Sequence, residues 1–213
     1  MLDQGVPDEE ALRSLGDLKL VDRWFGNRRA FTSAVLPFLD GPRPAILDVG
    51  CGSGDVLSGL RRASGGRALA VGADLKHLHL TDAPADVVRV VADARRLPFP
   101  PRSFDVVTAS LFLHHFDAGE LPDVLRGLYA TARRALVVND LRRARVPYLF
   151  GRAFFRMMFR SPVSVADGLV SIRRAFLPAE LRSAFAAAGI PGVRVTRTFP
   201  YRLIAVAERP SER

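Results

Sequence analysis

An apolar run that breaks into three alternating glycines, Ile46-Leu47-Asp48-Val49-Gly50-Cys51-Gly52-Ser53-Gly54-Asp55, restricts the fold of this chain more than any other stretch. The apolar character of Ala45–Gly50 reads as a buried strand, and the spacing from Asp55 to Ala63 reads as a helix. Between them the glycines permit a tight turn and leave no Cβ atoms in the way of a ligand. A strand, a glycine turn and a helix open an α/β unit whose ligand lies at the carboxyl end of the strand. Dinucleotide-binding turns look similar, but they place their third glycine where this chain has Asp55. The carboxylate of Asp48, ahead of the turn, suits an ammonium better than a pyrophosphate.

The same rhythm continues. Arg67–Asp74, Val87–Ala92, Phe104–Ser110 and Ala135–Asp140 are short runs rich in aliphatic residues and read as buried strands. Near-continuous apolar strands suit a parallel sheet covered on both faces. A short helix follows the second strand, the proline-rich stretch 95–103 reads as a loop, and Ala118–Arg133 has helical spacing. Beyond the fifth strand, Arg145–Arg160 is a helix candidate with Arg152, Arg156 and Arg160 on one side. Val146, Leu149, Phe150, Ala153, Phe154, Met157 and Met158 face away from them. A helix over Pro178–Ala188 stops at Gly189, and Val193–Phe199 with Arg202–Ala207 reads as an antiparallel hairpin. Ahead of the sheet, 8–18, 20–28 and 30–39 read as helices, with Trp24, Phe25 and Phe31 packing against the sheet or covering its open end.

These elements predict an α/β fold: a Rossmann-like, seven-stranded, mostly parallel sheet with an antiparallel C-terminal hairpin and helices on both faces. One domain spans 1–213, divided into an N-terminal helical cap (1–44), a core (45–140), an insertion (141–176) and a C-terminal helix with its hairpin (177–213). With 213 residues, 48% hydrophobic and 25% charged, the composition excludes disorder and collagen. The single cysteine, Cys51, excludes an internal disulfide framework and a cysteine-based zinc cluster. No stretch approaches the ~20 apolar residues of a membrane span, and the acidic N-terminus is no signal peptide, so a cytoplasmic protein is expected.

The formal charge of +9 is unevenly spread. Residues 133–174 hold ten arginines against Asp140 and Asp167, whereas the preceding residues are close to neutral. A nucleic-acid-coating protein spreads its basic footprint over a domain face, so a confined block points first to a local anionic contact.

Further residues extend the turn into a pattern. Asp74 ends the second strand, where a carboxylate can accept both hydroxyls of a ribose. Asp93 and Ala94 end the third, and the chain then reads Arg95-Arg96-Leu97-Pro98-Phe99-Pro100 and Ser103-Phe104-Asp105-Val106-Val107. On these four spaced motifs the chain resembles the class I S-adenosylmethionine-dependent methyltransferases, and most closely the branch acting on quinones, sterols and small natural products. The resemblance implies S-adenosyl-L-methionine as cofactor, bound by Asp48, Gly50, Cys51, Gly52, Gly54, Asp74, Leu75, Asp93, Ala94 and Ser110. In it Asp48 lies by the methionine end, while Asp93 accepts the adenine amino group and an amide at Ala94 meets the ring.

The fourth strand leads into Ser110-Leu111-Phe112-Leu113-His114-His115-Phe116, which in that family faces the acceptor. Some relatives place a histidine base here, and a group titrating near neutrality suits removal of a hydroxyl proton. Neighbouring side chains diverge, so one of the pair serves: the reading favours His115 as base and sets His114, Phe150, Phe154 and Met158 beside the acceptor. No metal is expected, because Ser110 stands where metal-dependent relatives need carboxylates. The expected reaction is O-methylation of a small hydrophobic or aromatic acceptor, phenolic or polyketide-like, in secondary metabolism. C-methylation of a quinone precursor is the nearest alternative. An RNA substrate is disfavoured, since Asn139-Asp140 does not begin an (N/D)-P-P-(Y/F) motif. The arginines of 142–160 suit an acyl-carrier surface or an anionic membrane surface, or are simply solvated.

Overall fold

A computed structural model describes residues 16–17, 27–159 and 161–210. Seven strands form one sheet: β1 (Ala45–Val49), β2 (Leu69–Asp74), β3 (Val88–Val91), β4 (Phe104–Ser110), β5 (Ala132–Leu141), β6 (Arg194–Thr198) and β7 (Arg202–Glu208). Their order is β3-β2-β1-β4-β5-β7-β6. The first five run parallel, whereas β7 is antiparallel to β5 and to β6. This is the seven-stranded Rossmann-like sheet with an antiparallel hairpin that the sequence predicts.

Side-chain alternation along the strands builds two cores. Leu47, Val49, Val107 and Leu136 face helices α4 (Leu121–Thr131) and α7 (Pro178–Ala187) through Leu125, Leu128, Leu181 and Phe185. Ile46, Ala70, Val106 and Val137 face α1 (Arg28–Val35) and α2 (Asp55–Ala63) through Phe31, Val35, Leu57 and Leu60. Phe31 is thus a core residue. Trp24, Phe25 and most of the two helices expected over 8–18 and 20–28 lie outside the described residues, although Asp17 is described and accepts the Ser161 N–H at 3.1 Å.

Two elements depart from the sequence reading. Strand β5 starts at Ala132, not Ala135, because Ala132 pairs with Phe104 and the strand then bulges before Ala135 pairs with Val106. Alanine and arginine favour helix, but the open edge of β4 supplies hydrogen-bond partners that a further helical turn would forgo. The insertion holds two helices: α5 (Arg145–Met158) ends before the expected Arg160, and α6 (Pro162–Arg174) follows. Its start was legible, for Ser161 caps it by accepting the N–H groups of Val163 and Ser164, with Pro162 as the first helical residue. No helix among the described residues is long and apolar enough to cross a membrane.

Candidate active site

Strands β1, β2 and β3 progress outward in one direction, and the chain then returns to lay β4 on the other side of β1. That reversal opens a crevice at the carboxyl ends of β1 and β4, where ligands of open α/β sheets bind. The glycine turn forms one wall. Gly50, Gly52 and Gly54 all have φ between 52° and 70°, the left-handed region that glycine tolerates best. They differ in what they face. A Cβ on Gly50 would lie 2.2 Å from the ring of Phe112, so the missing side chain there makes room for an aromatic ring of the opposite wall. A Cβ on Gly52 would meet nothing within 4 Å, which makes Gly52 the open point of the cradle.

The turn is tied to β2 on two sides. Ala73 O accepts the N–H groups of Gly50 and Cys51, and Asp74 Oδ2 accepts that of Gly52 at 2.9 Å. Asp74 Oδ1 accepts the Lys76 N–H at 3.1 Å and lies 3.0 Å from His79 Nδ1, on the short helix α3 (His77–Leu80). Burial pushes the Asp74 carboxyl up, but the hydrogen bond and charge of His79, with the two amides, hold it below the usual carboxylate range. His79 Nε2 is sealed without a partner. Sequence reasoning missed this histidine, since its spacing from Asp74 spans a turn that shows no periodicity.

Asp48 is buried in β1 and accepts the Thr108 hydroxyl at 2.7 Å. Cys51 points back onto β2, where a Cβ on Gly72 would stand 2.7 Å from its sulfur. Burial, with the charges of Asp48 and Asp74, pushes its thiol well above the usual range. Asp93 and Ala94 lie just past β3, which stops at Val91, not at the predicted Ala92. There Asp93 Oδ1 accepts the Arg95 N–H at 2.9 Å, and the Arg95 guanidinium sits 5.1 Å over the Phe116 ring. Leu75, beyond Asp74, is exposed.

The other wall follows β4. Ser110 accepts the Asn139 side-chain amide at 3.0 Å, and Leu111 takes a left-handed φ of 55°. The chain then enters a 3-10 turn at Leu113–His115. The two histidines separate here. His114 is 4% exposed, with Nδ1 2.7 Å from Asp140 Oδ1 and its backbone N–H directed at Asp140 Oδ2 at 3.3 Å. Asp140, near the end of β5, is wholly buried. Burial pushes its carboxyl up, but the charge and hydrogen bond of His114, the Leu141 amide and the charge of Arg202 hold it below the usual range. His115 is half-buried, its ring 4.4 Å from that of His114. A buried carboxylate therefore stands beside His114, the histidine that the sequence reading sets beside the acceptor. Asp140 is the residue that sequence reasoning passed over, because its pairing spans two strands.

On α5, Phe150 and Phe154 stack on each other 4.8 Å apart and are exposed, while Met158 is half-buried. The crevice thus gathers Asp48, the glycine turn, Asp74, Phe112 and Ser110 with the adjoining His114, whereas Phe150 and Phe154 of α5 face outward.

Residues 46–135 match the family model described as a methyltransferase domain. The chain is 32% identical over 117 residues to the 27-O-demethylrifamycin SV methyltransferase of Amycolatopsis mediterranei, covering 51% of this chain and 39% of that protein. It is 35% identical over 89 residues to a mitochondrial arginine-hydroxylase of Rattus norvegicus, covering 40% of this chain and 25% of that one. The chain therefore spans well under half the length of either relative. Among solved structures, the plantazolicin methyltransferase in complex with a desmethyl analog and SAH superposes with a TM-score of 0.69 at 15% identity, covering 92% of this chain and 90% of that one. That likeness carries the fold.

Proposed function

We propose that this chain, with a methyltransferase domain over residues 46–135, is an S-adenosylmethionine-dependent methyltransferase that transfers its methyl group to a hydroxyl oxygen of a small hydrophobic or aromatic acceptor. The observation that carries this reading is the buried His114–Asp140 pair at the ends of β4 and β5, one strand away from the open glycine cradle.

The residues present fit the cofactor. Gly52 leaves space where a side chain would stand, and three carboxylates mark successive strand ends. Asp48 meets the methionine ammonium, Asp74 the ribose hydroxyls, and Asp93 with the Ala94 amide the adenine; Gly50, Cys51, Gly54, Leu75 and Ser110 line the path. Once bound, the cofactor supplies a methyl group on a sulfonium that is displaced in line. The protein's task is then positioning and proton removal. Asp140 holds the Nδ1 proton of His114 and so presents Nε2 as the acceptor of the hydroxyl proton, the logic of a histidine–carboxylate pair. The acceptor hydroxyl would give its proton to His114 as its oxygen takes the methyl group that bound S-adenosylmethionine would supply. His115 packs against His114 and borders the acceptor, with Met158 on the insertion side.

The relative that methylates a demethylrifamycin oxygen supports the choice of oxygen. Calorimetric titration with S-adenosylhomocysteine tests the cofactor, and no heat with folded protein would end the reading. With a panel of phenols and polyketides, His114→Ala should lower kcat by about 100-fold and His115→Ala by only a few-fold. The reverse order would return the base to His115. Carbon-methylated products would replace O-methylation with the quinone-precursor alternative.

A further inference from the structure

We propose that the outer face of α5 docks on an anionic lipid surface. The inward side of this helix is Pro147, Gly151, Phe155 and Met158, all buried or half-buried. It is pressed on α6, since a Cβ on Gly151 would stand 3.1 Å from Leu169. At about 100° per residue, Val146, Leu149, Phe150, Phe154 and Met157 cover an arc of roughly 140° on the opposite side. These five side chains are 41–79% exposed. Ala153, also exposed, lies within the same arc.

Arg145, Arg152 and Arg156 form a stripe at the edge of that arc, and none of the three has an anionic partner among the described residues. Neighbouring arginines are engaged: Arg142 lies over the Tyr201 ring, Arg143 pairs with Glu180 and Arg174 with Asp117. The sequence has no acid between Asp140 and Asp167. A helix packed only on its own protein turns its apolar residues inward and its charges out. This one has apolar residues on both sides and a basic edge, the layout of a helix lying in a membrane interface. Its 14 residues are too few to span a bilayer, which needs about 20. A second copy seated on this face would bring two uncompensated arginine stripes together, and an acidic carrier protein would leave the apolar arc uncovered. Anionic lipid answers both parts of the surface.

The test is flotation of the full chain with phosphatidylcholine–phosphatidylglycerol vesicles and with pure phosphatidylcholine vesicles. Binding to the anionic vesicles alone is expected, falling steeply with salt. Replacing Arg152 and Arg156 with Glu should weaken it by about tenfold or more, and Leu149→Ser with Met157→Ser should weaken it comparably. Circular dichroism and thermal unfolding matching the parent protein establish that these variants fold. Equal binding to neutral vesicles, binding to neither, or vesicle binding unchanged in both folded variants would overturn the proposal. So would a dimer, or a complex with an acidic carrier protein, that forms through this face while no vesicle binds. None of these readouts depends on methyl transfer, so failure here leaves the proposed reaction standing.

Discussion

The core through β5 and the insertion after it treat polar and apolar groups in opposite ways. In the core each buried carboxylate has a partner: Asp48 takes a hydroxyl, Asp74 two amides and a histidine, Asp140 a histidine and amides. Its inner strands β1, β2, β4 and β5 are mostly buried, and only the edge strand β3 is largely exposed. In the insertion, large apolar side chains of α5 stand in solvent beside Arg145, Arg152 and Arg156, for which the described residues supply no acid. The crevice is pre-formed by internal hydrogen bonds, whereas α5 leaves an apolar arc exposed.

Substitutions should follow the same division. The largest effect belongs to Asp140→Asn, which leaves His114 without its buried carboxylate partner and should cost about 3–5 kcal/mol in urea unfolding. The sign of its pH dependence is fixed by the lowered carboxyl of Asp140. The stabilisation is complete above the ordinary carboxylate range, near pH ~4, and is lost as pH falls through the lower folded value. The Asn variant should therefore lose that part of the acid limb of the stability profile. Next is Gly50→Ala: its Cβ would press on the Phe112 ring at a φ of 69°, and unfolding should show a loss of about 2–4 kcal/mol. His79→Ala should weaken S-adenosylhomocysteine binding by about tenfold in calorimetry, since Asp74 loses the imidazole that holds its carboxylate. The smallest effect falls in the insertion, where Arg152→Ala should change stability by less than about 0.5 kcal/mol. A large loss there, or none at Asp140, would dissolve the contrast.

What the sequence revealed follows the same line. The turn at Gly50–Gly54, the strand-end acids and the order of elements were legible because each is local: strands announce themselves by composition and turns by glycine. Helix α6 was legible in principle through Ser161-Pro162 but lies in a segment whose apolar pattern is broken. The His114–Asp140 and His79–Asp74 pairs were not, for different reasons. The first joins neighbouring strands far apart in the chain, and the second depends on a turn that brings α3 back over the end of β2. The outward apolar arc of α5 was visible as periodicity, but only the structure tells which side of a helix is its inner one. Adjacent histidines present the same problem on a smaller scale, since the turn at Leu113–His115 decided which of them met the carboxylate.

The seating of Cys51 against Gly72 has a practical consequence. As the single thiol of the chain, inside the turn that holds the cradle, it is a built-in reporter of opening. The rate at which a maleimide dye labels this half-buried thiol reports how well the turn is held over it. A ligand that fastens the turn slows labelling, so cofactor occupancy can be followed on unmodified protein before any acceptor has been found.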